Sequence, residues 1–199
     1  MASLKTPSRS RGRPRDEATR RKILRAALEL METNCFAQVT AEAIAERAGA
    51  SKATLYRWWP NKAAVVIEAF REVIAPELPL EDTGSLDDLI TQVRNFARML
   101  SGRGGRMLRS FVLAATTDPE VAAAFRTIWS APRRAEAKRM LKRKRSSGQF
   151  RRDVDLDLVL DSLYGPLYYR FLVKNECPTR KYAESLAHLV IQGLAADGR

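Results

Sequence analysis

Between Ser51 and Lys62 the chain reads SKATLYRWWPNK, which concentrates polar, cationic and aromatic groups in a very short span. Lys52, Thr54, Tyr56, Arg57 and Trp58 share that span with one aliphatic residue, Leu55. Leu55 can anchor a helix inward while the others face elsewhere. Cations and hydroxyls on a short helix suit one kind of chemistry, which is holding phosphate oxygens and reading base edges. An α-helix of this size enters the major groove of double-stranded DNA with its N-terminal residues at the bases. No nucleophile–base pair accompanies them. The SGRGGR segment, Ser101–Arg106, is not preceded by a strand and lacks the Gly-Lys-Ser/Thr of a phosphate-binding loop, so it reads as a turn. One histidine, His188, and no clustered ligands speak against a metal site. The expectation is a protein that binds rather than catalyses, without cofactor.

The elements that must position those groups are legible on either side. Thr40 is suited to cap a helix running through Ile44, Ala45 and Ala48, and Gly49 stands where that helix has to turn left-handed. Ser51 caps the next helix. Pro60 disfavours helical geometry at Trp59 and ends it. Two short helices joined by a tight turn are therefore expected over Thr40–Lys62; an ordinary helical hairpin is the competing reading. Before them, Ile23, Ala26, Ala27, Leu30 and Met31 repeat at helical spacing, and Asp16 and Glu17 suit the positive end of a helix dipole. This predicts a helix from about Asp16 to Thr33. Residues 1–15, rich in Ser, Arg, Pro and Gly, are expected to form a disordered basic arm.

A helix over Asn61–Ile74 follows, and Pro76 and Pro79 break the pattern. We take this break as the boundary between residues 16–75, which would hold DNA, and residues 76–199. The second part reads as helical: a stripe from Leu86 to Leu100, a glycine-rich turn at Ser101–Gly105, and a helix through Met107, Phe111 and Ala115. A longer helix from near Glu120 to Arg145, kinked at Pro132, precedes two final helices over Asp155–Lys174 and Thr179–Ala196. The fold class is all-α, with about nine helices.

Charge is uneven. The net formal charge is +12, of which residues 1–25 supply +7 and residues 126–152 supply +10. The first block, beside the paired helices, is an electrostatic footprint for phosphate. The second, around Arg133–Arg152, fits either a solvated helix face or a site for an acidic ligand or partner. Two distant cysteines, Cys35 and Cys177, fit a reduced compartment. No apolar run approaches the roughly 20 residues of a membrane span, and the first residues carry no apolar signal core. A cytoplasmic protein without a membrane partner is expected.

These motifs together resemble the TetR/AcrR family of bacterial one-component transcriptional regulators. The likeness rests on ILRAALEL in the first helix, then F-x-x-V-T, then IAERAGASKATLYRWWPNKAAV, over roughly residues 16–70. It implies a homodimer that binds double-stranded DNA through a three-helix domain and answers a small-molecule effector through a C-terminal helical domain. By that resemblance Thr40, Tyr56 and Lys62 would contact phosphates. The amides of Ala50 and Ser51, with Lys52, would hold the duplex. Ala53 and Thr54 would meet base edges, and Arg57 a guanine or a phosphate. Arg11, Arg13 and Arg15 of the RGRPR stretch would lie in an A·T-rich minor groove. The chain departs from the family at Cys35, where many members have glycine, and at Trp58-Trp59, where a His/Tyr-Phe pair is commoner. Trp59 would fill the usual Phe slot, and Trp58 would offer an indole N–H to a phosphate. YGPLYYRFLV, Tyr164–Val173, resembles the penultimate helix of one C-terminal subgroup.

Phe96, Met99, Met107, Phe111, Phe125, Trp129 and Tyr164 are the candidates to line an effector cavity, with core packing as the alternative use. Leu160, Leu163, Leu167, Phe171, Tyr182, Leu186, Leu189, Val190 and Leu194 are the candidates for a two-fold four-helix interface. The expectation is a ligand-responsive repressor on a near-palindromic operator. A ligand-independent architectural DNA-binding protein, or an enzyme or carrier with a vestigial DNA-binding part, would be the rivals.

Overall fold

The structure is a computed structural model and describes residues 16–194. Arg11, Arg13 and Arg15 lie outside the described residues. Nine helices are present among those described. The first, α1 (Glu17–Thr33), starts where the sequence places it because the Asp16 carboxylate accepts the Ala18 N–H at 3.0 Å. Its inner face is Ile23, Leu24, Ala26, Ala27 and Met31. In α2 (Ala41–Arg47) the Thr40 hydroxyl accepts the Ala43 N–H at 3.1 Å. Gly49 has φ +62° with open space around its missing Cβ, so the backbone conformation, not room, requires glycine. Ser51 caps α3 (Lys52–Tyr56) by accepting the Thr54 N–H at 3.1 Å.

The helix α3 is shorter than the cap and proline suggest. It stops at Tyr56, and Arg57 and Trp58 occupy the following turn. The N–H of Trp58 reaches Leu55 O at 3.0 Å, so the last turn tightens and carries the chain inward. Trp59 is then buried, and its indole N–H donates to Glu68 at 2.7 Å. The Asn61 side chain caps α4 (Lys62–Ile74) through the Ala64 N–H at 2.9 Å. A 3₁₀ turn, Ala75–Glu77, ends this run at the prolines.

Helices α5 (Asp87–Leu100) and α6 (Arg103–Ala115) meet at a corner that corrects one expectation. Gly104 and Gly105 are not a free turn but the buried first turn of α6. A Cβ on Gly105 would stand 1.9 Å from the Leu100 carbonyl oxygen, and one on Gly104 2.9 Å from Ile74 at the end of α4. The glycines thus let three helix ends close on one another.

The longest helix, α7, runs from Pro119–Ala124 through a π-helical segment, Phe125–Ser130, into Ala131–Ser146. The π register falls just before Pro132, which has no N–H to give and whose ring would crowd the carbonyl one turn back. The widened turn absorbs what would otherwise be a sharp kink. Helix α8 (Leu156–Tyr168) continues as a π-helical turn, Tyr169–Val173, with Pro166 inside it. The last, α9 (Arg180–Leu194), lays Ala183 and Ala187 against the core and packs on α5.

Much of the basic block on α7 is consumed by this packing. Arg134 pairs with Asp157 at 2.8 Å and Asp161 at 2.7 Å, and Lys138 with Asp157 at 2.5 Å. Arg143 pairs with Asp82. Lys144, only 1% exposed, donates to Asp88 at 3.1 Å and to the carbonyl of Ser85. These contacts pin α7 to α8 and to the segment before α5.

Candidate nucleic-acid interface and internal cavity

On the outer side of α2 and α3, Thr40, Ser51, Lys52, Ala53, Tyr56 and Arg57 are all exposed, with Ala50, Thr54 and Trp58 partly so. They form one continuous polar and aromatic surface because Leu55, fully buried, fixes the rotation of α3. Tyr56 is 49% exposed, which is large for an aromatic side chain with no cover. The ammonium of Lys52 is held by Glu42 at 2.6 Å, an exposed pair that raises the lysine and lowers the carboxyl from their ordinary values through their mutual hydrogen bond. Behind Trp58 and Trp59, the Arg20 guanidinium lies 6.0 and 5.9 Å from their ring centroids and bonds Glu72 at 2.8 Å. It also bonds Glu68, tying α1 to α4 beneath the exposed surface.

Lys62 is placed differently from its neighbours. Its ammonium donates to Phe36 O at 3.2 Å and stands 4.3 Å from the Phe36 ring centroid. Desolvation lowers its pKa from the ordinary lysine value. Lys62 therefore fastens the start of α4 to the turn after α1.

The chain holds a partly open cavity of about 140 Å³. Its walls come from the segment Leu78–Leu80, from Gln92, Asn95 and Phe96 on α5, and from Trp129, Ser130, Arg133, Arg134 and Ala137 on α7. Leu160, Tyr164 and Tyr168 on α8 complete it. Phe96 stands edge-on to Tyr164 with centroids 5.3 Å apart, and Tyr168 lies 5.4 Å from Phe96. Burial raises both phenols above their ordinary pKa and keeps them neutral. The π-helical segment brings Trp129 and Ser130 to the cavity, and Arg133 follows one turn on.

Three of the sequence candidates, Phe96, Trp129 and Tyr164, line this space. Met99, Met107, Phe111 and Phe125 do not; Met99, Met107 and Phe111 are buried between helices, Met99 against Gly104. Sequence reasoning missed Leu78–Leu80, Gln92, Asn95, Ser130, Ala137 and Tyr168, and gave Leu160 to the dimer interface. The helical stripe carries inward aromatics whether they meet a neighbour or a void, so periodicity cannot separate the two. The one available signal was Arg133, a cation one turn after Trp129.

A train of ring contacts links the cavity to the α2–α3 end. Trp129 meets Phe70 of α4 at 4.8 Å, Phe70 meets Phe111 of α6 at 5.3 Å, and Phe111 meets Phe36 at 6.0 Å. The Phe36 N–H also donates to Ser110 on α6 at 2.7 Å.

The expected interface residues divide in two. Leu160, Leu163, Leu167, Phe171 and Leu194 are spent inside the chain's own core. Tyr182, Leu186 and Val190 are half-buried, and Leu189 is 68% exposed. The outward apolar residues of α8 are instead Leu158, Tyr169 and Val173. Helix α8 is apolar on more than one face, and periodicity does not say which face stays covered.

The paired helices α2 and α3, capped, turned at glycine and backed by α1, define a helix-turn-helix DNA-binding protein. Residues 23–69 match the family profile "Bacterial regulatory proteins, tetR family", and residues 80–190 match "Tetracyclin repressor-like, C-terminal domain". The chain belongs to the TetR family, and it is a DNA-binding transcriptional regulator rather than an enzyme. It is 39% identical to the HTH-type transcriptional regulator YdeS of Bacillus subtilis (strain 168) over 187 residues, 94% of each chain. Among solved structures, the TetR family transcription regulator SCO0332 aligns with a TM-score of 0.77 at 36% identity, covering 89% of this chain and 99% of that one. The Thermus thermophilus repressor FadR, solved in complex with lauroyl-CoA, shares the fold with a TM-score of 0.67 at 24% identity, covering 90% of this chain and 97% of that one. Among the described residues no helix is long and apolar enough to cross a membrane.

Proposed function

We propose that this chain is a homodimeric, ligand-responsive repressor that binds a near-palindromic operator. Residues 16–75 would hold the DNA and residues 76–194 the effector and the second subunit. Thr40, Tyr56 and the amides of Ala50 and Ser51 take phosphates, while Ala53, Thr54 and Arg57 face the bases. Lys52 gives up Glu42 for a phosphate. Lys62 acts by seating α4 rather than as a phosphate clamp. Two α3 helices must sit about one DNA turn apart, roughly 34–36 Å. The single observation that carries the ligand-responsive reading is the ring train from Trp129 through Phe70 and Phe111 to Phe36. Any ligand that moves Trp129 shifts Phe70 on α4, and α4 carries Lys62 and the seat of the helix-turn-helix. The effector shifts the operator equilibrium by its differential affinity for the two arrangements. FadR's complex with lauroyl-CoA is a precedent for a ligand within this fold. The outward face of α8 and α9, with Leu158, Tyr169, Val173 and Leu189, pairs with its symmetry mate.

The test is selection of bound fragments from the source genome, followed by footprinting. A protected near-palindrome with two half-sites about one turn apart is expected. Equal affinity for random duplex would instead favour an architectural role.

A further inference from the structure

The effector's chemical class can be argued one step further, and the argument rests on the ligand-responsive reading above. Arg133 is the observation that points there. Its guanidinium lines a cavity whose other walls, Arg134 apart, are rings, aliphatic groups, the Ser130 hydroxyl and neutral amides, and it stands 5.1 Å from the Trp129 centroid. It makes no ion pair among the described residues. The neighbouring cation of the wall, Arg134, is satisfied by Asp157 and Asp161. No carboxylate lines the space. Of the five N–H donors of Arg133, one bonds the Leu78 carbonyl at 3.0 Å. Desolvation lowers its pKa below the ordinary arginine value, by more than the nearby Tyr164, Glu136 and Tyr168 restore. A half-buried cation that makes no ion pair is costly unless something matches it.

We propose that the cavity takes a small aromatic carboxylate, with its anion on Arg133 and its ring against Trp129, Phe96 and Tyr164. The size fits: about 140 Å³ is close to the space that accommodates a single benzene ring in an apolar protein cavity. The flat guanidinium suits a bidentate carboxylate. Arg133 also explains how binding would be felt. Its other partner, Leu78, follows the 3₁₀ turn at the end of α4, so a carboxylate that draws on Arg133 competes with the bond holding that segment.

The test uses the full chain, titrated by calorimetry and tryptophan fluorescence with benzoate and phenylacetate and with their uncharged carboxamides. The carboxylates should bind at least about tenfold more tightly than the matching amides, the usual worth of a charge-assisted hydrogen bond. Arg133→Leu should erase that preference while the amides still bind, and Arg133→Lys should retain part of it. Equal affinity for acid and amide in the unaltered protein, or binding by none of the four, overturns the assignment. Parallel operator titrations separate the two layers. Carboxylate binding that leaves operator affinity unchanged upholds the cavity's chemistry and refutes the ligand-responsive reading. Release by the amides as readily as by the acids does the reverse.

Discussion

Lys144 offers the sharpest test of how the effector part is held together. Its side chain is 1% exposed and its ammonium bonds Asp88, itself 8% exposed, and lies 3.8 Å from Asp82. Lys144→Met keeps most of the stem's packing but strands the Asp88 carboxylate. Breaking a buried pair by removing one partner costs about 3–5 kcal/mol. Asp88 keeps two bonds from Thr83, its N–H at 3.0 Å and its hydroxyl at 2.8 Å, so the lower end, about 3 kcal/mol, is expected. In an Asp88→Asn background the stranded charge is gone, and the same substitution should cost only about 1 kcal/mol. Acid should narrow the first difference. Burial by itself would raise the Asp88 pKa, but the bonds from Thr83 and Lys144 outweigh it and hold the carboxyl below its ordinary value. A depressed carboxyl stabilises the fold above its unfolded pKa, about 3.9, and loses that contribution as pH falls through its folded value. Without Lys144 the carboxyl protonates at higher pH, so the gap narrows as pH falls through the carboxylate range and closes only below about 4. Urea unfolding at fixed protein concentration reads all of this, provided the slope is unchanged. A cost under about 1 kcal/mol at pH 7, or an equal cost in the Asp88→Asn background, would refute the reasoning.

Three further outcomes are expected. Phe70→Leu removes two edge-to-face ring contacts and should cost about 2 kcal/mol of stability in urea unfolding; it should also blunt effector-induced operator release, and full release measured by fluorescence anisotropy would break the proposed coupling. Glu42→Gln frees Lys52 from its 2.6 Å partner and should tighten operator binding by less than about tenfold, with a steeper salt dependence; weaker binding would mean that Glu42 positions Lys52 on the DNA. Val173→Glu with Leu189→Glu places charge on the outward face of α8 and α9 and should yield monomers in sedimentation, whereas an intact dimer would locate the interface elsewhere.

The local signals in the sequence were strong wherever one residue fixes backbone geometry. Asp16, Thr40, Ser51 and Asn61 each accept an N–H from the first turn of a helix, and Gly49 alone takes a left-handed turn between α2 and α3. Those devices are local, so they can be read without knowing the packing. The cavity was only partly legible, because Phe96 and Phe111 obey the same helical spacing while one faces a void and the other meets Phe36 and Phe70. The loop wall Leu78–Leu80 was hidden because nothing periodic marks it. Gly104 and Gly105 resembled a turn because glycine serves both turns and close helix contacts, and only the neighbouring Leu100 carbonyl distinguishes them.

The ion pairs on α7 bear on how the protein meets DNA in the first place. Five carboxylates, Asp82, Asp88, Asp153, Asp157 and Asp161, answer cations of residues 126–152, offsetting half of that block's excess of ten. Residues 1–25 carry a net +7, and Glu68 and Glu72, which hold Arg20, offset two of it. Both blocks are thus left with an excess of five, so the effector half does not outweigh the N-terminal stretch in drawing a diffusing molecule to the polyanion. Had the α7 block stayed uncompensated, it would carry twice that excess and draw more first encounters to the effector half.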